Sequence, residues 1–298
     1  MTPSILVGTR KGLFVLRGDE GRRKWTVEEP LLPGWEVFHA VHHDGTLYAA
    51  ANNFVYGATV QRSSDGGKTW ERSEALGLPE ETGLTLEKTW HVEPGHGDTL
   101  WLGAAPGALF RSADRGESWE PVMSLIQHET RERWNPGAGG MCTHSIQVHP
   151  TDPNTIYAGI SAAGVFRSED DGATWAPKNK GTAADFNEED RFPEVGQCVH
   201  KVLLHPEQEG RLWQQNHCGV YRTDDKGENW ERLEDNGLPE QAWVEVLREG
   251  MASDRRDPVG IYFGTKSGAV YVSPDEGEEW IEAARHLPAV LSVEVAEW

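Results

Sequence analysis

Twelve histidines and three cysteines carry most of the chemistry open to this 298-residue chain. His39, His91, His144 and His200 each stand near the start of a short apolar run, roughly one repeat apart. Cys142-x-His144 and Cys198-x-His200 share one pattern, and His217-Cys218 adds an imidazole and a thiol in the turn Gln214–Gly219. Residues i and i+2 of a strand face the same side, so each Cys/His pair would present both groups together. Imidazoles converging on one point suit a transition metal, and a thiolate among them favours zinc. The expected ligands are His91, His144, His200, His217 and Cys198, holding one divalent ion, zinc or manganese. The same side chains also fit a metal-free catalytic or binding site, or plain strand caps that line a wet channel.

Other candidates flank these histidines. Arg10 in Thr9-Arg-Lys-Gly12 and Lys266 in Thr265-Lys-Ser-Gly268 occupy equivalent hairpins and are expected to orient an anionic group. Asn52 and Asn216 sit in matching turns as ligand-binding residues. Arg133-Trp134 is expected to form a lid with an aromatic platform. Glu194 and Glu87 precede inner strands as candidate general bases, and His39 is a candidate catalytic residue or an alternate metal ligand.

Such residues need a scaffold, and a repeat supplies it. Ser168-Glu-Asp170-Asp-Gly172-Ala-Thr-Trp175 recurs as an S/T-x-D-x-G-x-x-W frame at Ser63–Trp70, Ser112–Trp119, Thr223–Trp230 and Ser273–Trp280, with starts 49, 56, 55 and 50 residues apart. Asp19-Glu-Gly21…Trp25 is a damaged sixth copy. Asp and Ser side chains bind nearby backbone N–H groups and Gly takes positive φ, so each box is a turn, expected to join the third and fourth strands of a sheet. Repeats of this period are stacked supersecondary units. Short strands before every box predict an all-β, six-bladed β-propeller, one domain over residues 1–298. Blade six is expected to begin with Trp243–Leu247, and the alternating segment Val290–Val295 to complete the first blade and close the ring. The long connections Ser73–Thr89, Met123–Thr143 and Lys178–Gln197 would share the face opposite the boxes, which is where a site belongs.

Composition narrows the partners. A formal charge of −20 argues against nucleic acid and anionic membranes. Three cysteines without framework spacing argue against structural disulfides. No run is apolar enough to span a membrane, and Ile5–Gly8 reads as a strand rather than a leader, so a cytoplasmic location is expected.

The boxes resemble the Asp-box of BNR-repeat propellers. The segments Cys142-Thr-His144, Gly196-Gln-Cys-Val-His-Lys201 and Gln214-Gln-Asn-His-Cys-Gly219 resemble those of bacterial WD40/YVTN/BNR-like repeat proteins over essentially the whole chain. Such proteins are commonly labelled glycosyl hydrolases or exo-α-sialidases. The resemblance implies three arginines on a substrate carboxylate, a Tyr–Glu nucleophile pair and an Asp acid/base. Arg10 fits the first arginine; Arg131, Arg133, Arg191 and Arg285 lie in loops on that side, and Tyr56 is the tyrosine in a candidate site hairpin. The expectation is a hydrolase or lyase acting on a small anionic or sugar-like molecule at a histidine-rich channel mouth. The alternative is a non-catalytic propeller that binds a protein or ligand.

Overall fold

The computed structural model describes residues 3–134, 136, 140–205, 208–216, 218–232, 247–275 and 279–297. They form six four-stranded antiparallel sheets, the blades of an all-β, six-bladed β-propeller fold. The chain divides into two compact units, Met1–Ala75 with Ala242–Trp298, and Leu76–Gln241.

The first unit holds three blades. In blade 1, Val290–Glu297 pairs with Pro3–Thr9, followed by Gly12–Gly18 and Trp25–Val27. Blade 2 is Glu36–His43, Thr46–Asn53, Gly57–Ser63 and Glu71–Arg72. Blade 6 is Met251–Ser253, Ile261–Gly264, Val270–Ser273 and Ile281–Ala284. The expected blade-six opening at Trp243–Leu247 is therefore displaced: the strand that pairs with Ile261–Gly264 is Met251–Ser253, and residues 243–246 lie outside the described ones. Met251–Ser253 is three residues long, too short to show an alternation of its own.

Strand Ile5-Leu-Val7 shows why these sheets stack. Its side chains alternate, so Ile5 and Val7 pack with Tyr262, Val270 and Val290, while Leu6 packs with Val37, Ala49 and Ala51. Both faces are covered, which is why the segment reads as a continuous apolar run. Gly8 permits a close approach. A Cβ there would sit 2.3 Å from Ser292 Oγ and 2.5 Å from the Val37 carbonyl oxygen.

The second unit holds blade 3 (Lys88–Pro94, Leu100–Ala105, Ala108–Ser112, Glu120–Pro121), blade 4 (Thr143–Val148, Ile156–Ile160, Gly164–Ser168, Ala176–Pro177) and blade 5 (Val199–Leu204, Leu212–Asn216, Gly219–Thr223, Glu231–Arg232). The connection after blade 3 folds back as a short helix, Met123–Ile126, and a 3-10 turn, Arg131–Arg133. Leu125 and Trp134 pack there into the apolar core around Phe166 and Trp175, and Ile126 is buried beside Leu125 in the chain.

Each Asp-box is a turn between third and fourth strands, held by the same bonds. The Ser63 hydroxyl donates to Asp65 and accepts from the Gly67 N–H; Asp65 accepts from the Thr69 N–H and hydroxyl. Asp114 and Asp170 repeat the pattern with Ser118 and Thr174. These donors hold the Asp65 carboxyl down at about 2. Burial pushes Asp114 up, but Ser118 and Ser112 outweigh it and leave it at about 2. The tryptophan precedes the fourth strand rather than starting it, and its burial varies: Trp230 is 5% exposed, Trp280 42%. The damaged first copy still works, since Asp19 accepts from the N–H groups of Arg23 and Lys24, with Arg22 at φ 57°. Arg22 then reaches buried Asp254 at 2.9 Å, and Tyr262 donates to the same carboxylate at 2.6 Å.

Candidate functional site

The four histidines are equivalent in sequence order but not in register. In blade 2, Val37 pairs with Ala51 and His39 with Ala50, so Phe38 is the extra residue of a β-bulge. In blade 3 the extra residue is Trp90, in blade 4 it is His144, and in blade 5 it is His200. His144 and His200 therefore occupy the bulge itself. His39 and His91 occupy the next position, where blades 4 and 5 carry Ser145 and Lys201. The expectation that all four stand at matching places is corrected: one inserted residue re-aims the side chains and splits them into two pairs.

The two pairs do different work. His144 is fully buried, and its Nε2 lies 3.0 Å from the Val199 carbonyl oxygen, so it ties blade 4 to the first strand of blade 5. His200 Nε2 lies 3.7 Å from the Cys198 thiol. Cys142 is buried beside the Ser161 hydroxyl. His91, 1% exposed, places Nε2 3.2 Å from Glu93. Among the described residues of the second unit, no three His, Cys, Asp or Glu ligand atoms gather as a metal would need. His217 lies outside the described residues.

Three further expectations are corrected in this unit. Trp134 is 4% exposed and cannot serve as a lid platform; its indole N–H donates to Thr130 and Arg131 stacks over its ring. Neighbouring Arg133 is exposed on the 3-10 turn. Glu194 clamps a loop rather than offering a free base, since its carboxylate accepts the Asn179 N–H at 3.0 Å and its carbonyl accepts from the Asn179 side chain. Asn216 is 3% exposed and caps a turn, accepting the Cys218 N–H at 2.7 Å. A cleft of about 220 Å³ lies at the Asp-box end of this unit, bridged by the 2.9 Å Arg111–Asp171 ion pair.

The first unit gathers ionisable groups. His39, 1% exposed, sets Nε2 3.6 Å from Glu294, whose side chain is 31% exposed. The Glu249 carboxylate, 2% exposed, has an oxygen within 4.8 Å of a His39 ring nitrogen. Its backbone is fixed by a parallel bridge to Ser292 and by the Val293 N–H donating to its carbonyl at 2.8 Å. Ser292 and Glu294 are two apart on one strand and so share a face.

Three hairpins rise from the same end of these blades. Arg10 is exposed in the turn after Thr9, whose hydroxyl donates to the Gly12 carbonyl at 2.8 Å. Lys266 is exposed in the turn braced by Thr265 and Ala269. Asn52 is buried at the base of the third, opposite Glu36. Beyond it Phe54 is 99% exposed and Tyr56 60% exposed, with the Tyr56 ring stacked on Trp35 at 5.7 Å. Glu249, Ser292 and Glu294 were not anticipated as site residues. The alternation Ser292-Val-Glu294-Val295 was a readable signal: it places two polar side chains on one face of an otherwise apolar strand. Glu249 carried no such signal.

Comparison with known proteins fits this fold. A BNR/Asp-box repeat family model matches residues 61–72, the blade 2 box. The chain is similar to xyloglucanases. It is 25% identical over 257 residues to Xyloglucanase Xgh74A of Acetivibrio thermocellus, covering 74% of this chain and 28% of that protein. A probable oligoxyloglucan-reducing end-specific xyloglucanase of Neosartorya fischeri is 24% identical over 62% of this chain and 23% of its own length. The chain thus spans about a quarter of the length of these relatives. Among solved structures, the GH74 xyloglucanase of Xanthomonas campestris superposes with TM-score 0.56 at 20% identity, over 94% of this chain and 52% of that one. YCF48 from Cyanidioschyzon merolae gives TM-score 0.51 at 15% identity, over 94% and 84%. The fold these comparisons share with the chain is a β-propeller, here carrying Asp-box repeats.

Proposed function

We propose that this chain is a hydrolase of carbohydrate substrates that works at the hairpin end of its first unit. The observation that carries the reading is a stacked aromatic pair, exposed Tyr56 on half-buried Trp35, on the same blade end as the His39–Glu294 pair. Sugar rings lay their C–H faces on such rings. Glycosidic cleavage needs one carboxyl group to protonate the leaving oxygen and a second to activate water or attack. Glu294 and Glu249 are the two candidates, with His39 moving the proton between them and solvent. Arg10 and Lys266 would hold an acidic substituent, so anionic sugars remain within the class. The similarity to xyloglucanases supports glucan-type oligosaccharides as the first probes.

Reducing-end release from xyloglucan oligosaccharides and from acidic oligosaccharides tests this. Glu249→Gln and Glu294→Gln should each lower kcat by about 10²–10⁴-fold, and Tyr56→Ala should raise KM. Full activity in the double carboxamide variant would remove the reading. A second reading is favoured by the exposed run Phe54-Val-Tyr56: binding of an extended apolar peptide without turnover. A solved YCF48 structure, bound to D1 peptide, shares the fold at TM-score 0.52. Peptide binding lost in Phe54→Ala, with no glycan turnover, would select it.

A further inference from the structure

We propose that His39, Glu249, Glu294 and Ser292 form a divalent-cation site in the first unit. The donors are one imidazole, two carboxylates and a hydroxyl. Such a nitrogen–oxygen set suits manganese or zinc, and it lacks the soft sulfur that would restrict it to zinc. Two donors on one ion, each about 2.1 Å from it, stand roughly 3–3.5 Å apart. The 3.6 Å between His39 Nε2 and Glu294 is close to that span, and a Glu249 oxygen lies within 4.8 Å of a His39 ring nitrogen.

Ser292 supplies the independent indication of a ligand. Its hydroxyl is buried, in a residue 1% exposed, and has no hydrogen-bond partner among the described residues, which is uncommon for a buried polar atom. It is bridged to Glu249 through the backbone and shares a strand face with Glu294, which is why the proposal counts the orphaned oxygen among the donors. Gly8 leaves the hydroxyl its room; a Cβ at that position would strike it at 2.3 Å. Glu294 is the partly exposed member and marks the entry path.

The test uses the full chain without an affinity tag, stripped by chelator and titrated with Mn²⁺ or Zn²⁺ in the absence of any glycan. The site shares His39, Glu249 and Glu294 with the hydrolase reading, but ion binding is read without turnover, so failure of the one is distinguishable from failure of the other. One ion per chain is expected, with a rise in the thermal midpoint. His39→Ala and Glu249→Gln should weaken binding more than tenfold, Ser292→Ala several-fold, and His144→Ala/His200→Ala not at all. Folding of each variant is checked by circular dichroism; if His39→Ala does not fold, Glu294→Gln and Ser292→Ala carry the test. Wild-type affinity equal to that of Glu249→Gln and Ser292→Ala, or loss in the His144/His200 variant instead, would overturn the site.

Discussion

At the scale of single residues, the histidines show how one residue type serves opposite ends. His144 donates from Nε2 to the Val199 carbonyl in a fully buried setting. His144→Ala leaves that carbonyl without its partner and opens a cavity, so we expect a loss of about 2–4 kcal/mol in urea unfolding, with metal content unchanged. A stable His144→Ala that loses bound ion would restore the histidine–cysteine centre expected from spacing. The residue types were legible in the sequence, but their aim was not. A β-bulge adds one residue without leaving a compositional mark, and a shift of one flips or skews every side chain beyond it. That is why His39 and His144 looked alike. Trp134 shows the converse: a tryptophan in a long connection looked like a lid, yet the connection carries its own apolar residues, Leu125 and Ile126, and folds inward.

At the scale of the element, the Asp-box was almost fully readable, because its turn is made from side-chain bonds inside one short segment. The carboxyl groups of Asp65 and Asp114 sit at about 2, below an unfolded value of about 3.9. A lowered folded value means that the stabilisation is complete above pH ~4 and is lost as pH falls through about 2. Acid titration followed by tryptophan fluorescence should show wild-type stability dropping across that window. Asp65→Asn/Asp114→Asn should be weaker at pH ~7 and flatter below pH ~4; an unchanged acid slope would assign the acid sensitivity to other carboxylates. The blade-six opening was not readable, since Met251–Ser253 is a three-residue strand whose pairing is decided by Ile261–Gly264 rather than by its own pattern.

At the scale of the whole molecule, 48 acidic against 28 basic residues leave a charge of −20. Self-repulsion of that charge opposes compactness, and salt relieves it as the Debye length falls from about 30 Å at about 0.01 M to about 3 Å at about 1 M. The thermal midpoint should rise over this range in scanning calorimetry. A fall would mean that ion pairs such as Arg167–Glu228 and Arg211–Asp224 outweigh the repulsion. Blade count and composition were legible because they are sums over the chain. The gathering of Glu249, Ser292 and Glu294 was not, because it depends on pairings between segments far apart in sequence.

The ladder between Pro3–Thr9 and Val290–Glu297 has a mechanical consequence. Pro3 lies opposite Glu297, so a pull applied to both of those residues loads the ladder at one end. Its rungs would open in succession, as a zipper does, instead of resisting together in shear. Ser292, opposite Gly8, is reached late in that opening, so the cluster around His39 would keep its shape until most of the seam had come apart.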